Sequence, residues 1–118
     1  MLNIRLMRPA DIPFGLELCR QAGWNQLEDD LRRLLELAPE GFFLAEDDGR
    51  PCGAASAVAY GVHTAWIGMV LVHKDFRRRG IGAQLMARCI ETLRARRIES
   101  IKLDATDQGR PVYLKLGF

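Results

Sequence analysis

A chain of 118 residues with 17 Lys plus Arg against 15 Asp plus Glu, and 48% hydrophobic residues, has the size and balance of one compact domain, spanning 1–118. It should bury roughly two thirds of its unfolded surface, enough for a core that needs neither disulfides nor structural metal. That apolar content excludes a disordered chain, and no apolar run approaches the roughly 20 residues of a membrane-spanning helix. The first residues carry Asp11 and Glu17 and do not read as a signal peptide. Cys19, Cys52 and Cys89 are odd in number and widely spaced, without a C-x-x-C pair, which fits reduced, packed thiols and a cytoplasmic location.

Leu2 to Met7 alternates apolar and polar residues and predicts a strand. Arg8-Pro9-Ala10-Asp11 then offers a turn with Asp11 as cap, and Ile12, Phe14, Leu16, Leu18 and Cys19 predict a first helix that stops at Gly23. Leu27, Leu31, Leu34, Leu35 and Leu37 predict a second, ended by Pro39 and Gly41. Gly41 to Ala45 and Pro51 to Tyr60 read as antiparallel strands around the turn Glu46-Asp47-Asp48-Gly49-Arg50. The small residues Gly53 to Ala57 allow another layer to come close.

Thr64 to Val72 is apolar on both faces, as in a central strand, with Trp66, Gly68, Val70 and Val72 on one and Ala65, Ile67, Met69 and Leu71 on the other. Trp66, Met69 and Cys52 are assigned to the core. A third helix is predicted from Ile81 to Leu93, a short strand at Ser100 to Leu103 and a short helix at Arg110 to Leu116. The expected class is α+β: three layers, α/β/α, around a mixed, mostly antiparallel sheet.

Charge is uneven along the chain. Residues 1–73 hold 6 basic and 10 acidic side chains, whereas residues 74–102 hold 9 basic and 3 acidic. Such a field draws in a phosphorylated small molecule and a nucleic acid alike. The local sequence separates them. Val70-Leu71-Val72 leads through His73 to Arg77-Arg78-Arg79-Gly80-Ile81-Gly82, where glycines remove side chains at the start of a helix whose first N–H groups lack partners. Unpaired N–H groups, the helix dipole and three arginines together favour a phosphate. The dinucleotide pattern G-x-G-x-x-G fails because Leu85 replaces its third glycine, and the triphosphate loop fails for want of Gly-Lys-Ser/Thr. Against nucleic acid stand the acidic first 73 residues and the absence of an aromatic stacking platform beside the basic run.

R-x-x-G-x-G at Arg77, Gly80 and Gly82, after an aliphatic strand, resembles the acetyl-CoA loop of the GCN5-related N-acetyltransferases (GNAT). Asn3-Ile4-Arg5 with Pro9-Ala10-Asp11 resembles that family's opening, and Tyr113-Leu114-Lys115-Leu116-Gly117-Phe118 its Y-x-x-x-G-F signature. The resemblance implies an acetyl-CoA-dependent enzyme acting on a primary amine in a ternary complex. Backbone groups of Val70, Leu71 and Val72 would pair with pantetheine, and Arg77, Arg78, Arg79, Gly80, Ile81 and Gly82 would hold the pyrophosphate. The N–H near Val70 would face the thioester oxygen, and Tyr113 would protonate the departing thiolate. Trp24 and Asn25 would border the acceptor pocket. The base is open among His63, His73, Glu46 and a water chain.

The family's sheet normally continues past G-F with two more strands, which this sequence lacks. The expectation is therefore a truncated unit, or a homodimer in which a second copy covers the open sheet edge. The competing reading is a non-catalytic acyl-CoA-binding or regulatory remnant.

Overall fold

The computed structural model describes residues 1–23, 28–60, 64–98 and 100–103. Within them the chain runs β1 (Leu2–Leu6), α1 (Ile12–Gln21), α2 (Glu28–Leu37), β2 (Phe42–Asp47), β3 (Arg50–Tyr60), β4 (Thr64–Val72), α3 (Ile81–Ala95) and β5 (Ser100–Leu103). The strands form one sheet in the order β1-β2-β3-β4-β5, antiparallel except for the parallel pair β4 and β5. One face packs under α3 and the other under α1 and α2, which gives the expected three layers. The predicted helix at Arg110 to Leu116 lies outside the described residues.

Ile81, Leu85, Met86, Cys89, Ile90 and Leu93 recur at helical spacing and all are buried. Burying each large one contributes about 1.5–3 kcal/mol. The strand beneath is kept small to admit them: a methyl group on Gly53 would come within 3.0 Å of both Leu85 Cδ1 and the Leu71 carbonyl oxygen. Gly41 does more than stop α2. A methyl there would lie 2.1 Å from the Ala57 carbonyl oxygen, and the Gly41 carbonyl accepts a hydrogen bond from Ala57 N at 2.7 Å. Glycine lets β2 enter the sheet against the β3 backbone.

The hairpin is tighter than the sequence suggested. Only Asp48 and Gly49 leave the strands, both at positive φ (50° and 83°), as a primed two-residue turn requires. Asp11 departs from its expected role. It makes no side-chain cap to α1; its carboxylate accepts from Arg5 Nη1 and Nη2 at 2.8 and 3.0 Å and from the Arg8 backbone N–H at 2.8 Å. Arg5 Nε also donates to Glu46 at 2.9 Å, so one half-buried guanidinium ties β1 to β2 and to the turn before α1. A bidentate cationic partner outcompetes a single capping bond.

The consequential departure lies in β4. Ala54 pairs with Leu71 but Ser56 pairs with Gly68, so β4 carries one residue more than β3, with Met69 at φ 51°. This bulge reverses the alternation. Ala65 and Ile67 face α3 before it, Val70 and Val72 face α3 after it, and Met69 and Leu71 pack under α1 and α2. The expected grouping of Met69 with Ile67 is thereby corrected, because one inserted residue shifts a period of two by half a cycle. The described pairing of β4 with β5 ends at Ile67 with Leu103.

Asp11 gives a stability test. The hydrogen bonds from Arg5, reinforced by the Arg8 N–H, hold its carboxyl below the ordinary value of 3.8 against an opposing effect of burial. A depressed native pKa stabilises the fold above the unfolded value and ceases to do so as pH falls through the native one. Urea unfolding should show wild-type stability falling between about pH 5 and 3. Asp11→Asn should be less stable by about 1–3 kcal/mol at pH 7, with a flatter slope over that window.

Candidate functional site

The C-terminal end of β4 and the N-terminus of α3 meet at one place. Gly80 caps α3 at φ 75° and ψ 12°, a left-handed conformation that glycine adopts without cost. No side chain caps the helix there, and the first intrahelical bond is Gln84 N to the Gly80 carbonyl at 3.1 Å. The N–H groups of Ile81, Gly82 and Ala83 precede that bond and present donors at the positive end of a fifteen-residue helix. A methyl on Gly82 would lie 3.6 Å from Val72 Cγ2, an ordinary contact, so the surrounding chain does not demand glycine at that position. The room it leaves borders β4, where an extended ligand running along Val70 to Val72 would arrive. A phosphate-bearing chain fits this cradle.

The three arginines do different things. Arg77 Nε donates to the Val72 carbonyl at 3.2 Å and braces the loop against β4. Arg79 Nη1 lies 3.5 Å from Asp47 Oδ2 and its guanidinium 5.3 Å from the centre of the Phe76 ring, which also carries Arg50 at 5.4 Å. Arg78 is exposed, sits at φ 67°, and makes no hydrogen bond or ion pair among the described residues. A non-glycine residue held left-handed costs roughly 1–2 kcal/mol, strain of the kind that loops retain where ligands bind.

The acetyltransferase (GNAT) family model matches residues 12–118. The chain belongs to the GNAT family. It is 32% identical over 103 residues to YitH of Bacillus subtilis, an uncharacterized N-acetyltransferase, covering 87% of this chain and 36% of that protein. A solved structure from Pyrococcus horikoshii superposes with a TM-score of 0.89 at 30% identity, covering 99% of this chain and 43% of that one. A predicted acetyltransferase from Clostridium acetobutylicum, solved with acetyl-CoA, superposes at 0.79 with 22% identity, over 100% of this chain and 90% of that one. The chain thus spans well under half of YitH and of the Pyrococcus protein. The three-layer mixed sheet is the GNAT fold.

Of the residues this family would use, the structure brings Val70, Leu71 and Val72 together with the loop from Arg77 to Gly82. Trp24, Asn25, His63 and Tyr113 lie outside the described residues. The two other candidate bases are engaged elsewhere. His73 Nδ1 accepts from Asp75 N at 3.2 Å while its ring stacks on Phe14 and meets Phe76 edge-on. Glu46 is held by Arg5.

Two features escaped the sequence pattern. One is the bulge, whose available signal was Gly68 interrupting a strand. The other is Trp66, assigned to the core, which is 37% exposed. Its neighbours Ala65 and Ile67 point beneath α3, which leaves Trp66 on the opposite face, beyond the core packed under α1 and α2. Cys19, Cys52 and Cys89 are free and buried; burial pushes the Cys52 thiol up to about 11 and Cys89 up to about 12. They supply no nucleophile at neutral pH.

The glycines separate conformation from ligand clearance. Gly80→Ala should cost about 1–2 kcal/mol in urea unfolding, because alanine resists the left-handed cap. Gly82→Ala should leave the free protein as stable or up to about 1 kcal/mol more stable, since helix propensity favours alanine. Equal losses in both would contradict a ligand-facing role for Gly82.

Proposed function

We propose that this chain transfers an acetyl group from acetyl-CoA to a primary amine by direct attack within a ternary complex. The observation that carries this reading is the uncapped N-terminus of α3 beside Val72, opened by Gly80 and Gly82. A pyrophosphate would accept from the N–H groups there, with Arg78 adding charge from the rim. Pantetheine would lie along Val70, Leu71 and Val72, past the point where the described pairing with β5 ends. The acetyl carbonyl oxygen would face the N–H of Val70 at the bulge, a donor fixed by the strand before any reaction begins.

The chemistry then balances as follows. An ammonium loses one proton, and the neutral nitrogen adds to the thioester carbonyl carbon. That addition forms the C–N bond and puts the negative charge on oxygen; collapse of the tetrahedral intermediate restores the carbonyl and breaks the C–S bond. CoA leaves as a thiolate and takes a proton from the Tyr113 phenol, whose ordinary pKa of about 10 suits donation to a thiolate. The nitrogen sheds its remaining surplus proton. With His73 and Glu46 engaged, a water chain or His63 is the base in this reading. The reading carries a cytoplasmic location, consistent with three free thiols, and no helix among the described residues is long and apolar enough to cross a membrane. It also carries a homodimer in which a second copy pairs with the outer edge of β5, checked by sedimentation.

Calorimetric titration with acetyl-CoA tests the donor site. The wild-type chain should bind in the micromolar range. Gly82→Asp should lose that binding at least tenfold while unfolding no earlier than wild type, because a carboxylate in the first turn suits the helix dipole yet occupies the anion's place. Arg78→Ala should weaken binding several-fold. Undiminished affinity in Gly82→Asp would refute the site. Tyr113→Phe should keep acetyl-CoA affinity and lose turnover; a binding remnant would have none to lose.

A further inference from the structure

We infer that Ser56 is a positioning residue for acetyl transfer: its hydroxyl holds the peptide that turns β4 at the bulge and so aims the Val70 N–H at the thioester oxygen. The assignment rests on the acetyl-transfer reading for what Val70 faces. The hold on the bulge rests on the packing and pairing of β3 and β4 alone.

Gly53-Ala54-Ala55-Ser56-Ala57-Val58 is a buried run of small and apolar residues with one polar side-chain atom in it. Alanine at position 56 would fill nearly the same space without an oxygen to satisfy. That oxygen sits beside the bulge. Ser56 pairs with Gly68, the last residue of β4 in register before the extra one, and its hydroxyl crosses to the Gly68 carbonyl at 3.0 Å. Ser56 is 4% exposed, so the bond is made in a low dielectric, where it is stronger than at a surface.

Backbone direction explains what the bond does. The Ala57 N–H donates to the Gly41 carbonyl on the β2 side, and the His73 N–H donates to the Cys52 carbonyl across β3 and β4. Alternation from those bonds turns the backbone groups of Ser56 toward β4 and those of Leu71 and His73 toward β3. Val70 and Val72 therefore face the other way, beyond Ile67, where the described pairing of β4 with β5 ends. In an unbulged strand counted from Gly68, residue 70 would face β3. The reversal takes place at Met69, whose φ of 51° links two peptides: one carries the Gly68 carbonyl and the other the Val70 N–H. Rotation of the first swings the second. Ser56 grips the first at its oxygen, and the buried side chain of Met69 anchors the residue between them. An oxyanion donor is effective when its direction is set before charge develops, and Ser56 sets it through the backbone.

The test reads the thioester carbonyl itself and needs no acceptor. Acetyl-CoA labelled with carbon-13 at that carbonyl is titrated into the full chain and followed by NMR, with urea unfolding of each variant alongside. A hydrogen bond that polarises the carbonyl moves its resonance downfield on binding. Ser56→Ala should bind within about twofold of wild type and lose about half of that movement or more, while Ser56→Thr keeps both the hydroxyl and the movement. Ser56→Cys, close in size but a weaker donor, should fall between them and gives the answer where Ser56→Ala does not fold. Val58→Ala, two residues along the same face of β3, should unfold at lower urea and keep the whole movement, which separates aim from packing. A full movement in Ser56→Ala, or in Ser56→Cys where it stands in, would overturn the assignment, as would an equal loss in Val58→Ala. A wild-type chain that fails to bind acetyl-CoA would sink the transfer reading and this assignment with it, whereas binding with an unmoved carbonyl would sink the assignment alone.

Discussion

One additional residue in β4 decides what each face of the sheet presents. Without the bulge at Met69, Val70 and Val72 would point away from α3, and the Val72 side chain would not lie beside Gly82. The inserted residue turns the second half of β4 over, so that its aliphatic side chains seal against α3 while its backbone edge passes the helix N-terminus. Holding Met69 at φ 51° is costly for an unbranched, non-glycine residue. The cost is met by burial: Met69 joins Leu71, Leu18 and Leu31 in the core under α1 and α2. A strained backbone next to a binding edge, over-determined by the packing around it, is how folds keep such a feature in place.

The supports of that edge are distributed. On the α3 side β3 carries only small side chains, Cys52, Ala55, Ala57 and Ala59 beside Gly53, so the helix lies close enough for its N-terminus to reach Val72. Arg77 holds the loop to the Val72 carbonyl, and the His73 N–H donates to Cys52 in β3 at 2.8 Å. The Lys74 N–H donates to Gln21 Oε1 at the end of α1 at 3.0 Å, which joins the loop to the opposite layer. Phe76 is buried between these elements, with Arg50 and Arg79 on its ring. Of the three arginines read as one basic cluster, two serve to build the loop and one is left facing outward.

Most of the architecture was legible in the sequence because its signals are local and strong. The periodicity of Ile81 to Leu93, the Asp48-Gly49 turn and the alternation of Leu2 to Leu6 each report a geometry that depends on near neighbours. The loop was legible for the same reason, since Gly80 is demanded by a backbone angle of its own. The bulge was not legible, because a reading with a period of two cannot register a single inserted residue, and Trp66 inherited the error through the assumption that an apolar central strand is buried on both faces. Asp11 was misassigned because its true partner, Arg5, comes from β1 and meets it only when the chain folds back.

The asymmetry of the two sheet faces has a further consequence for chemistry. Among the described residues, the face under α3 is lined by apolar side chains from Phe43 in β2 to Ile101 in β5. On the other face, among the described residues, the apolar core of Ala54, Met69 and Leu71 adjoins the buried Ser56, whose hydroxyl donates to the Gly68 carbonyl. In the proposed reading, a donor on the helix N-terminus would reach the bulge along the backbone edge of β4, with the apolar wall under α3 behind it. Such a wall would exclude water from the thioester before an amine arrives, and preorganisation of that kind is what a direct transfer gains over a random encounter in water.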